Sequence, residues 1–201
     1  MKAFGITLLV LSNLLTALAE SNVYEQLVDK RPAPIGPKNW MGNLKRSLYE
    51  EGQRVPYLVR WPKHTPAGST CSETICLNDF MSTSAEIAGV KLSDDMAVDS
   101  HSLLKLYEGG RREVVPPVIQ SDFDGGYAIH RGDWKLIFTL DPKTRTFSRE
   151  LYNLKDYIKE TTDVLDLYPE VASQLAQIFE ELVRNGRSTI GPKQTNFEDP
   201  E

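Results

Sequence analysis

The sequence runs to 201 residues, with 23 Lys and Arg against 28 Asp and Glu, a formal net charge of −5 and 40% apolar residues. That balance excludes a nucleic-acid grip, which needs clustered basic surface, and the length allows one core of ordinary size, or one plus a small satellite, at roughly 100–200 residues per domain. No stretch approaches the roughly 18 consecutive apolar residues of a spanning helix, so no membrane anchor is expected.

Residues 1–19 have the grammar of a signal peptide: Lys2 as the charged start, a mostly apolar stretch from Phe4 to Leu15, and Ala17-Leu18-Ala19 as the cleavage site before Glu20. The expectation is an exported chain, secreted or periplasmic. Removing that segment takes away Lys2 alone, leaving 22 cations against 28 anions and a net charge of −6. Such a compartment permits disulfides. Cys71 and Cys76 are the only cysteines, and a local bridge between them and a pair of buried thiols both stand open, because loop geometry decides between them. Without a histidine at ligand spacing, two cysteines do not make a zinc site. The chain contains no N-x-S/T sequon.

From Glu20 to Met41 the chain is polar and rich in Pro and Gly ("KRPAPIGPKNWMG"), an irregular connector. Residues 57–61, "YLVRW", form a short apolar run stopped by Pro62 and predict a largely buried strand. A loop follows, then a second strand over 73–77. Asp79 is placed to cap a helix over 80–88 that ends at Gly89. "KLSDDMAVDSHS" is a polar loop, 103–107 one helical turn, and Gly109-Gly110 ends it.

The second half has a different texture. "GYAIHRGDWKLIFTL" (126–140) places two strand-like runs about a Gly-Asp turn, an antiparallel hairpin closed by Pro142. "RELYNL" supplies a third strand. Pro169 then sits at a helix first turn, and Val171, Leu175, Ile178, Phe179, Leu182 and Val183 recur at helical spacing up to Asn185-Gly186, a fitting C-cap. This helix is expected to lay its apolar face on the sheet. The tail, "RSTIGPKQTNFEDPE", is polar and expected to be mobile.

Lys45 is the residue of most chemical interest. It follows Gly42-Asn43 and precedes a turn stiffened by Gly52 and Pro56, so its ammonium is placed to face an anion as a point charge. The bland alternative, a solvated surface lysine, fits the spacing equally well.

"KRSLYEEGQRVPYLVRWP" resembles the K-G-S-x-Y-E-G-G-x-R-V-P-F-x-x-x-W-P segment of the sulfatases, the arylsulfatase branch of the alkaline-phosphatase-like superfamily. "NDFMSTSAEIAGVKLSDDMAVDSHSLL" is similar to the family's D-L-x-P-T-x-x-x-x-x-G and D-[GS]-x-S-L-L stretches. "YAIHRGDWKLI" looks like its A-I-R-x-G-x-W-K-L-I hairpin, and "ELYNLKDYIKETTDV" like its E-L-Y-D-L-x-x-D-P-x-E-x-x-N segment. The segments occur in the family's order between residue 42 and about 196.

The resemblance implies an α/β fold (α+β within this chain): residues 42–110 as the end of the large α/β domain, and 111–186 as a C-terminal subdomain of small antiparallel sheet and one long helix, with 187–201 as tail. It puts Lys45 on the lysine that contacts the sulfate group and offsets charge on the ester oxygen as the S–O bond breaks. Glu50, Gly52, Arg54 and Pro56 fall on the supporting turn, with Arg54 structural and paired to a carboxylate. Trp134 and Lys135 fall on the hairpin, the tryptophan in a packing role.

Sulfate ester cleavage in this family needs a formylglycine made from the Cys or Ser of a C/S-x-P-x-R motif, and a divalent cation, usually calcium, held by paired aspartates and an Asp-Asn or Asp-His pair. Cys71 leads into "CSETI" and Cys76 into "CLNDF", neither with the Pro and Arg. Neither cofactor is therefore expected in this chain. Asp94-Asp95 read as a solvated acidic loop, and His64, His101 and His130 as loop or surface residues. The chain alone is expected to be inactive: a sulfatase-like sequence lacking its catalytic half, with a sulfate ester as substrate only when that half is supplied. The alternative is a secreted, non-catalytic binding module built on the same subdomain.

Overall fold

A computed structural model describes residues 47–194, Phe123 apart. Its centre is a four-stranded antiparallel meander in the order β1-β2-β3-β4, formed by β1 (Val118–Ser121), β2 (Tyr127–Arg131), β3 (Trp134–Leu140) and β4 (Phe147–Asn153). Three short helices precede it, α1 (Glu50–Gln53), α2 (Asp79–Ile87) and α3 (Leu104–Tyr107), and one long helix follows, α4 (Pro169–Asn185).

The hairpin forms where the sequence predicts it. Arg131 pairs with Trp134 and Tyr127 with Phe138, across a turn in which Gly132 takes φ 60°, a left-handed value open to glycine. The third predicted strand becomes β4, in register from Trp134 opposite Asn153 to Leu140 opposite Phe147. Strand β1 has no counterpart in the sequence reading. It is four residues long, follows Pro116-Pro117, and offers only Val118 and Ile119 as apolar signal, which suits an edge strand and is too short to stand out.

Alternation along the strands gives the sheet two covered faces. Tyr127, Ile129, Leu136, Phe138 and Leu151 pack with Ala172, Leu175, Ala176, Phe179 and Val183 of α4. The Phe179 ring lies 5.2 Å from that of Phe138 and 6.0 Å from that of Tyr127. Pro169 occupies the first turn of α4, and Gly186, at φ 64°, donates its N–H to the Leu182 and Val183 carbonyls, as its C-cap position requires. Burying each large side chain here contributes about 1.5–3 kcal/mol. The opposite face carries Ala128, Ile137 and Tyr152, and is covered by Leu48 and Tyr49. Gly126 makes this closure possible: a Cβ there would lie 2.7 Å from the Leu48 side chain and 2.9 Å from the Phe138 carbonyl oxygen.

Several expectations fail in the first half. Residues 57–61 are not a strand, and Leu58 is 94% exposed; a strand exists only with a hydrogen-bonding neighbour, and among the described residues the meander is the only sheet. Residues 73–77 are likewise irregular. Helix α2 forms, with Asn78 at the N-cap position and Asp79 inside the first turn. The Asp79 carboxylate is buried and accepts the backbone N–H groups of Cys76 and His101 at 3.0 and 2.9 Å, so it gathers loops instead of capping.

The tail differs too. Through Gln194 it is held: buried Arg187 donates to the carbonyls of Asp94, Pro192 and Ile190, and the Ser188 and Thr189 N–H groups bond the Val98 carbonyl. The helical turn at 103–107 is present as α3, where the Tyr57 and Tyr107 hydroxyls meet.

Candidate functional site

The face of the sheet opposite α4 gathers the polar chemistry of the second half. Strand alternation puts His130, Lys135, Glu150 and Tyr152 there, on the side crossed by residues 47–54. Lys135 has no solvent exposure. Its Nζ donates to Glu50 Oε1 at 2.9 Å and lies 2.8 Å from Glu160 Oε1, an ion pair whose alignment falls outside hydrogen-bonding geometry. Glu160 turns its other oxygen to the backbone, accepting the Glu50 N–H at 2.6 Å. Arg54 Nε donates to Glu50 Oε2 at 2.5 Å. Two cations and two carboxylates thus meet across three segments far apart in sequence.

Burial works to raise the Glu50 carboxyl; the Lys135 charge and the hydrogen bonds from Arg54 and Lys135 outweigh it and leave the pKa below its ordinary value. Beside this cluster, Tyr49 and Tyr152 both donate their hydroxyls to Glu150 Oε2 at 2.8 Å, with their rings edge to face. Burial, then the bond to Glu150, pushes both phenols upward. His130 is buried on β2, contrary to the surface role expected of it, because strand alternation turns it inward; desolvation holds its pKa below the ordinary value. Its Nε2 lies 3.0 Å from the Gly132 carbonyl and 3.3 Å from Thr74 Oγ1.

The sites expected from sequence fall out unevenly. Lys45 lies outside the described residues, as do the signal peptide and the connector. Glu50 is buried in α1; Gly52 is half-buried in the same turn, its N–H bonded to the Tyr49 carbonyl; Arg54 and Pro56 are exposed beyond it. Arg54 pairs with a carboxylate, that of Glu50. Trp134 packs against the main core, 5.0 Å from the Tyr168 ring.

Cys71 and Cys76 are unbridged, and only Cys76 is half-buried, Cys71 being exposed, so neither of the two readings holds in full. Burial raises the Cys76 thiol pKa. Asp94 and Asp95 are exposed, the latter accepting from Ser93 Oγ. His101 is half-buried, 3.0 Å from Ser188 Oγ, and His64 stacks on Trp61. Sequence reasoning missed Lys135 as a buried ion-pair centre. The signal was present as a lysine in an apolar strand, but a lysine two residues from a turn more often reaches solvent.

A family model described as N-sulphoglucosamine sulphohydrolase, C-terminal, matches residues 37–186. The chain belongs to the sulfatase family. It is 27% identical over 146 residues to an N-acetylgalactosamine-6-O-sulfatase of Bacteroides thetaiotaomicron, covering 68% of this chain and 28% of that protein. To arylsulfatase K of Bos taurus it is 27% identical over 164 residues, 77% of this chain and 30% of that one. Among solved structures, one described as in complex with its substrate D-glucosamine-2-N,6-O-disulfate aligns with a TM-score of 0.57 and 27% identity, over 68% of this chain and 29% of that one. This sulfatase-family chain therefore spans less than a third of the length of these relatives.

The fold it shows, a small antiparallel sheet with helices, is that of the sulfatase C-terminal subdomain. The family's calcium and formylglycine do not fit the residues at hand. Among the described residues no group of three or more His, Cys, Asp or Glu is arranged to hold an ion, and neither cysteine is followed by the Pro and Arg of the nucleophile motif.

Proposed function

We propose that this chain is the lysine-bearing, C-terminal portion of a sulfuric ester hydrolase acting on sulfated sugars or aryl sulfates. The family match over 37–186 carries this reading, together with the buried anchoring of the turn that follows Lys45. In it, Lys45 meets the sulfate group as a point charge and offsets negative charge on the ester oxygen. Glu50, Gly52, Arg54 and Pro56 form the turn behind it. The nucleophile and metal ligands would come from sequence outside these 201 residues, so the chain alone binds sulfate weakly and does not hydrolyse its esters. Residues 1–19 would direct export to the periplasm or cell exterior.

The test is turnover of an aryl sulfate and of a sulfated hexosamine by pure protein. No hydrolysis is expected, whereas reproducible hydrolysis abolished by Lys45→Ala would mean that the chain holds a nucleophile of its own. In a sulfatase chain supplied with an upstream C/S-x-P-x-R segment, Lys45→Ala is expected to raise the barrier by ~3–4 kcal/mol. Near-normal rates in that variant would remove Lys45 from the sulfate site.

A further inference from the structure

Helix α1 cannot hold its own position. It has four residues and no side-chain cap, far below the roughly 12–15 residues at which an isolated helix becomes even marginal in water. What holds it is tertiary. Leu48 is buried against Ala128 and Ile137, Tyr49 bonds Glu150, and the Glu50 backbone and side chain are taken by Glu160 and Lys135.

The ionic part of this attachment is costly. Taking a lysine and two carboxylates out of water carries a desolvation penalty that ion pairing offsets only with close geometry, and apolar groups of similar volume often stabilise a fold as well or better. An apolar contact such as that of Leu48 is also tolerant of sliding. A buried ammonium between two fixed carboxylates is not, because a shift of the turn leaves a charge unpaired in a dry site. The arrangement therefore sets where the 47–54 turn sits, beyond merely keeping it attached.

Resting on the assignment of Lys45 to the sulfate, we infer that Lys135 is a positioning residue: through Glu50, and with Glu160 as second clasp, it fixes the turn that carries Lys45. The chain reaches Ser47 two residues after Lys45, so a turn pinned at Glu50 limits where the Lys45 ammonium is delivered. The Lys135 ammonium is itself wholly buried and spent on two carboxylates, so it acts through Glu50 and touches no ligand.

The experiment compares the full chain with Lys135→Met and Glu160→Gln by two readouts: amide hydrogen exchange, and NMR of isotope-methylated lysines titrated with inorganic sulfate, with Lys45 identified by Lys45→Arg. In both variants the Glu50 and Arg54 amides are expected to exchange faster by ~100-fold, with Leu136 and Leu151 still protected. The Lys45 response to sulfate is expected to weaken by ~10-fold or more. Unchanged exchange at Glu50 overturns the inference. Faster exchange with an unaltered Lys45 response also overturns it, since the cluster is then structural only and the sulfate reading survives. A wild-type Lys45 blind to sulfate sinks the sulfate reading and the positioning role with it, while the exchange data still report whether the clasp exists. Should Lys135→Met expose Leu136 and Leu151, Glu160→Gln decides, because Glu160 lies outside the sheet.

Discussion

The two halves of the chain treat similar apolar runs in opposite ways. "YAIHR" and "WKLIFTL" become β2 and β3, and from Tyr127 to Ile129 and from Leu136 to Phe138 their side chains all but vanish from solvent. "YLVRW" remains irregular, with Leu58 at 94% exposure, and Phe80, Met81 and Ile87 of α2 are exposed as well. The difference lies in partners. In the second half each strand has its neighbour one short turn away and α4 closes the far face, so burial and backbone pairing arrive together. In the first half, cohesion is polar: Asp79, Thr83, Ser100 and Arg112 are bound to backbone groups across loops, with Arg112 and Glu73 paired at 3.1 Å. An apolar run is therefore evidence of a strand only when a neighbour is within reach.

The contrast is easiest to break at its strongest point. Phe179→Ala removes the ring that touches both Tyr127 and Phe138, and should cost about 3–5 kcal/mol in urea unfolding; a loss under 1 kcal/mol would mean that α4 is not the principal cover of the sheet. Gly126→Ala tests the other face. The added methyl would meet the Phe138 carbonyl oxygen, which cannot swing away, and a loss of about 1–3 kcal/mol is expected. Exchange measurements should place the resulting disorder at Leu48 before it reaches Leu151.

A gentler lever is acid. The folded pKa of His130 lies below its ordinary value of 6.5, so the unfolded chain binds more protons and stability declines as pH falls below about 6.5. Buried His101 acts in the same sense. Glu50, depressed below 4.5, contributes stability above that value which is lost as pH falls through its folded pKa. Asp99 opposes them: burial raises its pKa, so its own share falls as pH rises above 3.8. The net expectation is a two-stage acid weakening in thermal melts, with the upper stage abolished by His130→Gln together with His101→Gln. A melt that is flat from pH 7 to 5 would contradict the burial of both histidines.

The smallest effect should come from Leu58→Ser, within about 0.5 kcal/mol, as for surface positions generally. A cost above 1 kcal/mol would show residues 55–61 to be docked, and the two halves to be more alike than their exposures indicate.

Where periodicity coincided with short-range partners, the structure was legible beforehand. The hairpin about Gly132-Asp133, the third strand and the Pro169-to-Gly186 helix could all be read, because alternation, turn chemistry and caps are local and agree there. Glu50 and Arg54 were legible as a turn and as an ion pair, since they are one helical turn apart. Lys135 and Glu160 were not. They lie 85 and 110 residues from Glu50, and nothing local marks a lysine whose charge will be buried.

By itself the sequence determined the family, through ordered motifs, along with the elements of the sheet-and-helix half, and the missing nucleophile motif, since chemistry of that kind is written in residue types and short spacings. Only the tertiary structure decided that "YLVRW" lies exposed, that His130 turns inward, and that Lys135, Glu50 and Glu160 close into one buried cluster. Solvent exclusion and charge pairing depend on what arrives from elsewhere in the chain, and no local pattern encodes that arrival.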